Sequence, residues 1–444
     1  MERFVRRTGA YRPPMTVSSP STSHPSTAGG PRPRPGSGPG PDAAPRTDPA
    51  PGSAAPATAA HPDRPRLVEL RLSAFAGHRG AVFPLEPLTF FAGRSGSGKS
   101  TALWACEALA RLGGGEELGE VFPEPLACVP QWARPDAQRR RGFRIGCTAD
   151  GPEGPVRLDV AVQAEPELRV VGERLSGSGR VLLETALRDP SRPVVQAAWH
   201  TAGSSPVTRG PLPDDRLGTA LMPLRVSGRT DGQRRVLAAA EQMVVALRSL
   251  FPCDPRPGRM RAPAPLGTGR LLRGCDNLAE VLWRTRTECG RRHAQLVAAV
   301  HAGCAGPVAD VLAEPLGDGT VRAVLDRGDG MRTPLAMLGD GELRYLALAL
   351  VLLTGPGVLE VDAVDEVPAA LQGLTVLADG FDCALDARQT GELVRLAARM
   401  GRRGHIRLVG AVSDASAAAG LREVPGVSVV DLGGRRGGSR RPLS

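Results

Sequence analysis

Gly93-Arg94-Ser95-Gly96-Ser97-Gly98-Lys99-Ser100 fits the pattern GxxxxGK[ST]. It lies between an apolar run, 88–92, that reads as a buried strand and a segment, 100–112, with helical spacing. The residue types define a chemistry. Glycines let the backbone curl until its N–H groups converge on phosphate oxygens, and the helix that follows adds its positive end. An ammonium at Lys99 is placed to neutralise the β- and γ-phosphates, and the Ser100 hydroxyl to ligate Mg²⁺. The expected nucleotide-binding stretch is therefore Gly93, Arg94, Ser95, Gly96, Ser97, Gly98, Lys99, Ser100 and Thr101, with ATP and Mg²⁺ as ligands. Composition supports this independently. Lys99 is the only lysine in 444 residues, and the other 55 basic side chains are arginine, so lysine survives only where a compact ammonium is needed.

A second constellation lies far along the chain. Leu338-Gly339-Asp340-Gly341-Glu342 precedes an apolar helix, and 38 residues after Gly341 an apolar run, 374–378, ends in Asp379. Asp382 and Asp386 follow, the latter seven residues after Asp379. This pattern resembles the C-terminal lobe of ATP-binding-cassette ATPases, in which a signature loop is followed by a strand ending in aspartate and then by the D-loop aspartate. With the strand at 70–75 and the long middle segment, residues 66 to 431 look most like soluble cassette ATPases related to RecF and the structural-maintenance-of-chromosomes proteins, a set also grouped among AAA-family ATP-binding proteins.

The resemblance implies a head-to-head dimer with ATP sandwiched between one copy's phosphate loop and the other's signature loop. Leu338, Gly339, Asp340, Gly341 and Glu342 would then contact nucleotide across the interface, Asp379 would hold Mg²⁺ with Ser100, and Asp386 would sense the partner. Three positions depart from the family. Gly380 stands where a glutamate orients the attacking water, Ser413 aligns with the switch histidine, and Gly339 aligns with the signature serine. Binding residues are kept while hydrolytic ones are changed, so hydrolysis is expected to be slow or dependent on a protein partner. Lys99, Asp379 and Asp382 form the expected catalytic set, with Asp382 as the substitute that positions water. The alternatives are a non-hydrolysing ATP-dependent scaffold or sensor, and a DNA-associated maintenance or defence factor.

Other clusters admit plainer readings. Asp365-Glu366 mimics the metal and base pair but lacks the D-loop spacing. Cys289, His293, His301 and Cys304 have metal-like types at spacings that do not suit zinc. Trp132, Arg134, Arg139, Arg140, Arg141, Phe143 and Arg144 interleave aromatic and basic residues as a nucleic-acid surface can, but read better as a solvated turn entering a strand at Phe143. Arg256, Arg259, Arg261, Arg270 and Arg273 form a second basic cluster with the same two readings. Gln131 is a candidate metal-sensing glutamine, while His78 and Arg79 lie where an adenine could stack.

These residues require an α/β frame: a mostly parallel sheet carrying the loop and Asp379, an antiparallel lobe from the short alternating runs between 142 and 187, and helices behind them. The expected organisation is a disordered Pro/Ser/Gly/Ala-rich leader at 1–65, an N-terminal lobe at 66–205, a helical insertion at 206–325, a C-terminal lobe at 326–431 and an Arg/Gly tail at 432–444. The leader holds 15 of the 42 prolines and few large apolar side chains, so burial cannot offset its ordering entropy. Net charge is +10, but the leader carries eight arginines against four acids and the tail four against none. The rest holds 44 basic and 42 acidic groups, so a basic groove is not implied. The longest apolar run, 345–353, is far below the ~20 residues of a membrane span. Scattered cysteines without a CxxC pair point to reduced thiols and a cytoplasmic location.

Overall fold

A computed structural model of the chain describes residues 64–202, 205–267, 269–360, 373–404, 406–413 and 415–433. Residues 1–63 of the expected leader, Asp365-Glu366 and the tail from 434 lie outside the described residues. The first half contains β1 (Arg66–Phe75), β2 (His78–Pro84), β3 (Leu88–Ala92), α1 (Lys99–Gly113), α2 (Leu118–Val121), β4 (Arg141–Asp150), β5 (Val156–Glu165), β6 (Arg169–Gly177), β7 (Arg180–Ala186), β8 (Val194–His200) and β9 (Val207–Pro213). The middle contains α3 (Gly218–Arg225), α4 (Asp231–Arg248), β10 (Leu250–Pro252), α5 (Pro257–Met260), β11 (Ala264–Pro265), α6 (Leu278–Glu288), α7 (Gly290–Gly303), β12 (Asp310–Pro315), β13 (Thr320–Gly328) and β14 (Met331–Pro334). The last part contains α8 (Asp340–Leu353), β15 (Leu374–Ala378), α9 (Ala387–Gly401), β16 (Ile406–Ala411), α10 (Ala415–Arg422) and β17 (Val427–Asp431).

Two main sheets result. An eight-stranded antiparallel sheet runs β2-β1-β4-β5-β6-β7-β8-β9, and a five-stranded parallel sheet runs β10-β15-β16-β3-β17. A small antiparallel sheet, β11-β13-β12 with β14 on β13, sits in the middle segment. The interior strands β3 and β15 are buried along their whole length because both faces are covered. Phe90, Val376 and Ala378 enter a core shared with α6 to α9, while Phe91, Leu377 and Val409 enter the core shared with α1, α4 and the antiparallel sheet. Eleven consecutive residues of α8, Leu343 to Leu353, are buried, as expected of a helix apolar on all sides.

Several local readings differ from the structure. The stretch 206–325 is not purely helical: β9 is the last strand of the antiparallel sheet and β10 an edge of the parallel one. Pro211 and Pro213 mask the strand signal of β9, yet an edge strand tolerates prolines that a central one would not. Within 206–325 the long helical spacing resolves into α6 and α7, broken at Cys289 before Gly290. The first hairpin turns at 76–77. Among the described residues no helix is long and apolar enough to cross a membrane, and all eight cysteines are free thiols.

Candidate functional site

The chain reaches Ala92 at the carboxyl end of β3, which lies between β16 and β17, two strands that arrive more than 300 residues later. Such a reversal of strand order leaves a crevice at the carboxyl ends of the strands. Gly93 (φ 145°), Gly96 (φ 79°) and Gly98 (φ 94°) adopt conformations that L side chains avoid. Space is short as well. A Cβ on Gly93 would stand 2.8 Å from Ser97 Oγ, and one on Gly98 2.6 Å from His78 Nε2. Ser97 N donates to Arg94 O at 3.1 Å, closing the curl. Lys99 turns back over it, Nζ donating to Gly93 O (2.7 Å) and Arg94 O (3.2 Å).

Helix α1 opens directly from Gly98, with no side chain capping its first turn, so its leading N–H groups stay available. Ser97 Oγ is buried without a partner among the described residues. A cradle that excludes Cβ atoms, a buried hydroxyl unused among the described residues and an ammonium that the described residues engage only through its own loop together fit a polyphosphate. Ser95, Gly96 and Ser100 are exposed, Thr101 half-buried. His78 supports the loop from the β1–β2 hairpin, Nε2–H donating to Gly98 O at 3.2 Å. Burial pushes its imidazole below the ordinary value, opposed by that hydrogen bond. His78 is thus a prop beneath the loop, while Arg79 lies over the Trp132 ring at 4.8 Å.

Asp379 follows β15, one strand removed from β3 because β16 intervenes, a lateral offset of about 10 Å. Its carboxylate is exposed, and Oδ1 accepts the Gly380 N–H at 3.0 Å. Asp379 and Ser100 are both hard oxygen donors of the kind Mg²⁺ selects. Asp382 is committed elsewhere: its oxygens accept Ser413 N (2.9 and 3.1 Å) and Ser413 Oγ (2.8 Å), tying together the turns after β15 and β16. A cavity of about 340 Å³ opens beside the loop, lined by Gly93, Arg94, Ser413, Arg422, Asp431 and Gly433 among others.

Leu338 to Glu342 form the N-terminal entry to α8. Glu342 accepts Gly339 N (3.3 Å) and Ala305 N (2.9 Å). Gly341 has no room for a Cβ, which would collide with the Ala384 carbonyl oxygen. One turn on, the buried Arg344 donates to Pro255 O (2.8 Å) and Gly380 O (3.1 Å), so this loop is fastened to the turn after Asp379. Among the described residues no hydrogen bond or ion pair joins 338–342 to 93–101. Asp386 caps α9, accepting Gln389 N at 2.7 Å.

Two contacts here have no local sequence signal. Arg261 donates to Leu338 O (2.8 Å) and Asp340 Oδ1 (2.7 Å) across 77 and 79 residues, and Arg344 reaches Gly380 across 36. The remaining clusters separate into ordinary partnerships. Arg140 pairs with Asp136, Arg141 with Glu165, Arg256 with Asp254, Arg259 with Asp276 and Arg273 with Glu107. Phe143 is buried against Phe75 and Phe122. His293 contacts Asp310 (2.6 Å), whereas His301 accepts Val308 N (3.3 Å).

No family model matches the chain, and no curated protein matches it. Among solved structures it is similar to an Smc head bound to the C-winged helix domain of ScpA, at 11% identity over 80% of this chain and 92% of that one, with a TM-score of 0.45. It is similar also to the SMC head domain from Thermotoga maritima (13% identity, 79% and 89% covered, TM-score 0.37). A third is an Smc head domain with an extended coiled coil bound to the C-terminal domain of ScpA derived from Pyrococcus furiosus (13%, 80% and 91%, 0.38). The likeness is loose in both sequence and superposition.

Proposed function

We propose that this chain is a Mg·ATP-binding P-loop ATPase whose nucleotide is enclosed between two copies in head-to-head contact. The observation that carries the reading is the curled loop from Gly93 to Ser100, set at the switch point of a parallel sheet with Lys99 folded over it. Backbone N–H groups of 94 to 101 would hold the phosphates, Lys99 would leave its two carbonyls for the β- and γ-phosphates, and Ser100 with Asp379 would hold Mg²⁺. Bound Mg²⁺ supplies charge neutralisation between the phosphates. The loop 338–342 makes no described bond to its own phosphate loop, which leaves it available to a second copy; Asp386, at the adjoining cap, would lie near that contact.

Slow or partner-dependent turnover follows from Gly380, which has no side chain to orient water. Asp382 is the substitute, but it must release or share Ser413 to act. That same tether favours the second reading, a nucleotide-gated switch that binds and dimerises without turnover. A nucleic-acid role draws less support, since Arg256, Arg259, Arg261 and Arg273 of the second cluster and Arg140 and Arg141 of the first are spent on acids.

The test is single-turnover hydrolysis, nucleotide binding and molecular mass measured on wild type beside Lys99→Ala. Turnover lost in the variant supports an ATPase; binding and dimerisation without turnover supports the switch. Absence of nucleotide binding by wild type refutes both.

A further inference from the structure

The loop 338–342 presents an unusual face to a phosphate. Gly339 offers no hydroxyl, and Asp340 places a carboxylate in the first turn of α8, where it would repel a γ-phosphate brought in by another copy. The structure compensates with Arg261. Its Nη2 spends both hydrogens on the loop, one on Leu338 O and one on Asp340 Oδ1. The remaining three N–H groups, on Nε and Nη1, have no partner among the described residues, and the side chain is 30% exposed.

Arg261 is also held in place. It follows α5, whose Met260 is buried. The flanking strap is paired along its length by Asp254 N to Arg273 O (3.0 Å) and Arg256 N to Gly274 O (2.9 Å), and Arg344 grips Pro255 from α8. Arg256, Arg259 and Arg273 spend their charge on acids outside the loop, whereas Arg261 alone of these is seated on it.

We propose that Arg261 is the phosphate-contacting residue of the signature loop, replacing the missing serine hydroxyl and acting in trans on the nucleotide held by a second copy. A guanidinium with one edge fixed and the other free suits bidentate recognition of a terminal phosphate oxygen pair, a geometry an ammonium does not reproduce. Its charge also cancels Asp340, so the loop meets the phosphate without net repulsion. This inference rests on the sandwich reading above.

The experiment uses the full chain, with a non-hydrolysable ATP analogue and Mg²⁺. Binding of a fluorescent ATP analogue is measured at protein concentrations below dimerisation, and mass is followed by sedimentation as protein concentration rises. Arg261→Ala should bind nucleotide within about twofold of wild type yet need about tenfold more protein to dimerise. Arg261→Lys should recover only part of the loss. Arg261→Ala combined with Asp340→Ala removes both charges and should stay weak. Mixing Lys99→Ala with Arg261→Ala should restore dimers, because one composite site then has an intact phosphate loop facing an intact Arg261. Melting curves matched to wild type exclude misfolding as the cause.

Wild-type dimerisation by Arg261→Ala overturns the proposal. So does full recovery in the double variant, which would reduce Arg261 to a counter-charge, and so does loss of nucleotide by the isolated copy, which would place it in cis. If wild type binds nucleotide without dimerising, the sandwich reading falls and takes this proposal with it, a result visible before any variant is compared.

Discussion

Gly98→Ala tests whether the phosphate loop is shaped jointly by backbone sterics and the histidine beneath it. At φ 94° a Cβ costs about 1–2 kcal/mol in backbone strain alone. The new methyl would also stand 2.6 Å from His78 Nε2 and 2.8 Å from Cε1, so the ring must move. It is buried against Phe83, with centroids 5.6 Å apart, and moving it breaks the hydrogen bond to Gly98 O, worth about 1 kcal/mol. The expected total is about 2–3 kcal/mol. With His78→Ala as the second change, only the backbone part should remain, so the pair should cost about 1 kcal/mol less than the sum of the single changes. Urea denaturation of the four proteins measures this. An equal cost of Gly98→Ala in both backgrounds refutes the steric argument, and a neutral Gly98→Ala refutes the loop conformation itself.

Gly341→Ala drives a Cβ into the Ala384 carbonyl, a main-chain atom that cannot rotate away; it should cost about 2 kcal/mol or more and weaken ATP-dependent dimerisation, read by denaturation and sedimentation. Ser413→Ala removes the hydroxyl donor to Asp382 while keeping the main-chain donor. If Asp382 positions water, this should raise single-turnover hydrolysis and Asp382→Ala should abolish it; unchanged turnover in both discards that role. The His78 imidazole has a native pKa below its ordinary 6.5, so the unfolded chain binds the proton more readily in the window between the two values. The His78 contribution to stability is therefore intact above pH 6.5 and lost as pH falls below it. Wild type should lose more thermal stability between pH 7.5 and 5.5 than His78→Ala, and identical losses count against the sign.

The loop and the elements that position the candidate site were legible because their information is local. A run such as 88–92 or 374–378, apolar but for one threonine, has both faces covered, and both proved to be interior strands of the parallel sheet. Glycines at 93, 96 and 98 announce φ values that side chains forbid. Less legible were β8, β9 and β17, short strands whose composition is mixed because they lie at or next to an edge. The helix break at Cys289 was likewise hidden inside continuous helical spacing.

Sequence by itself determined the glycine-rich loop from 93 to 98, its flanking strand and helix, the parallel-plus-antiparallel character of the fold and the placement of Asp379 at a strand end, all consequences of residue type and short-range spacing. Tertiary structure alone decided the long-range partnerships. His78 became a prop under Gly98, Asp382 was claimed by Ser413 across 31 residues, and Arg261 was seated on Leu338 and Asp340. The physical reason is that arginine, aspartate and histidine carry no local signal of their partners. With 55 arginines in the chain, only the sheet order and the packing of α8 against the strap and the Asp379 turn select which of them meets which acid or carbonyl.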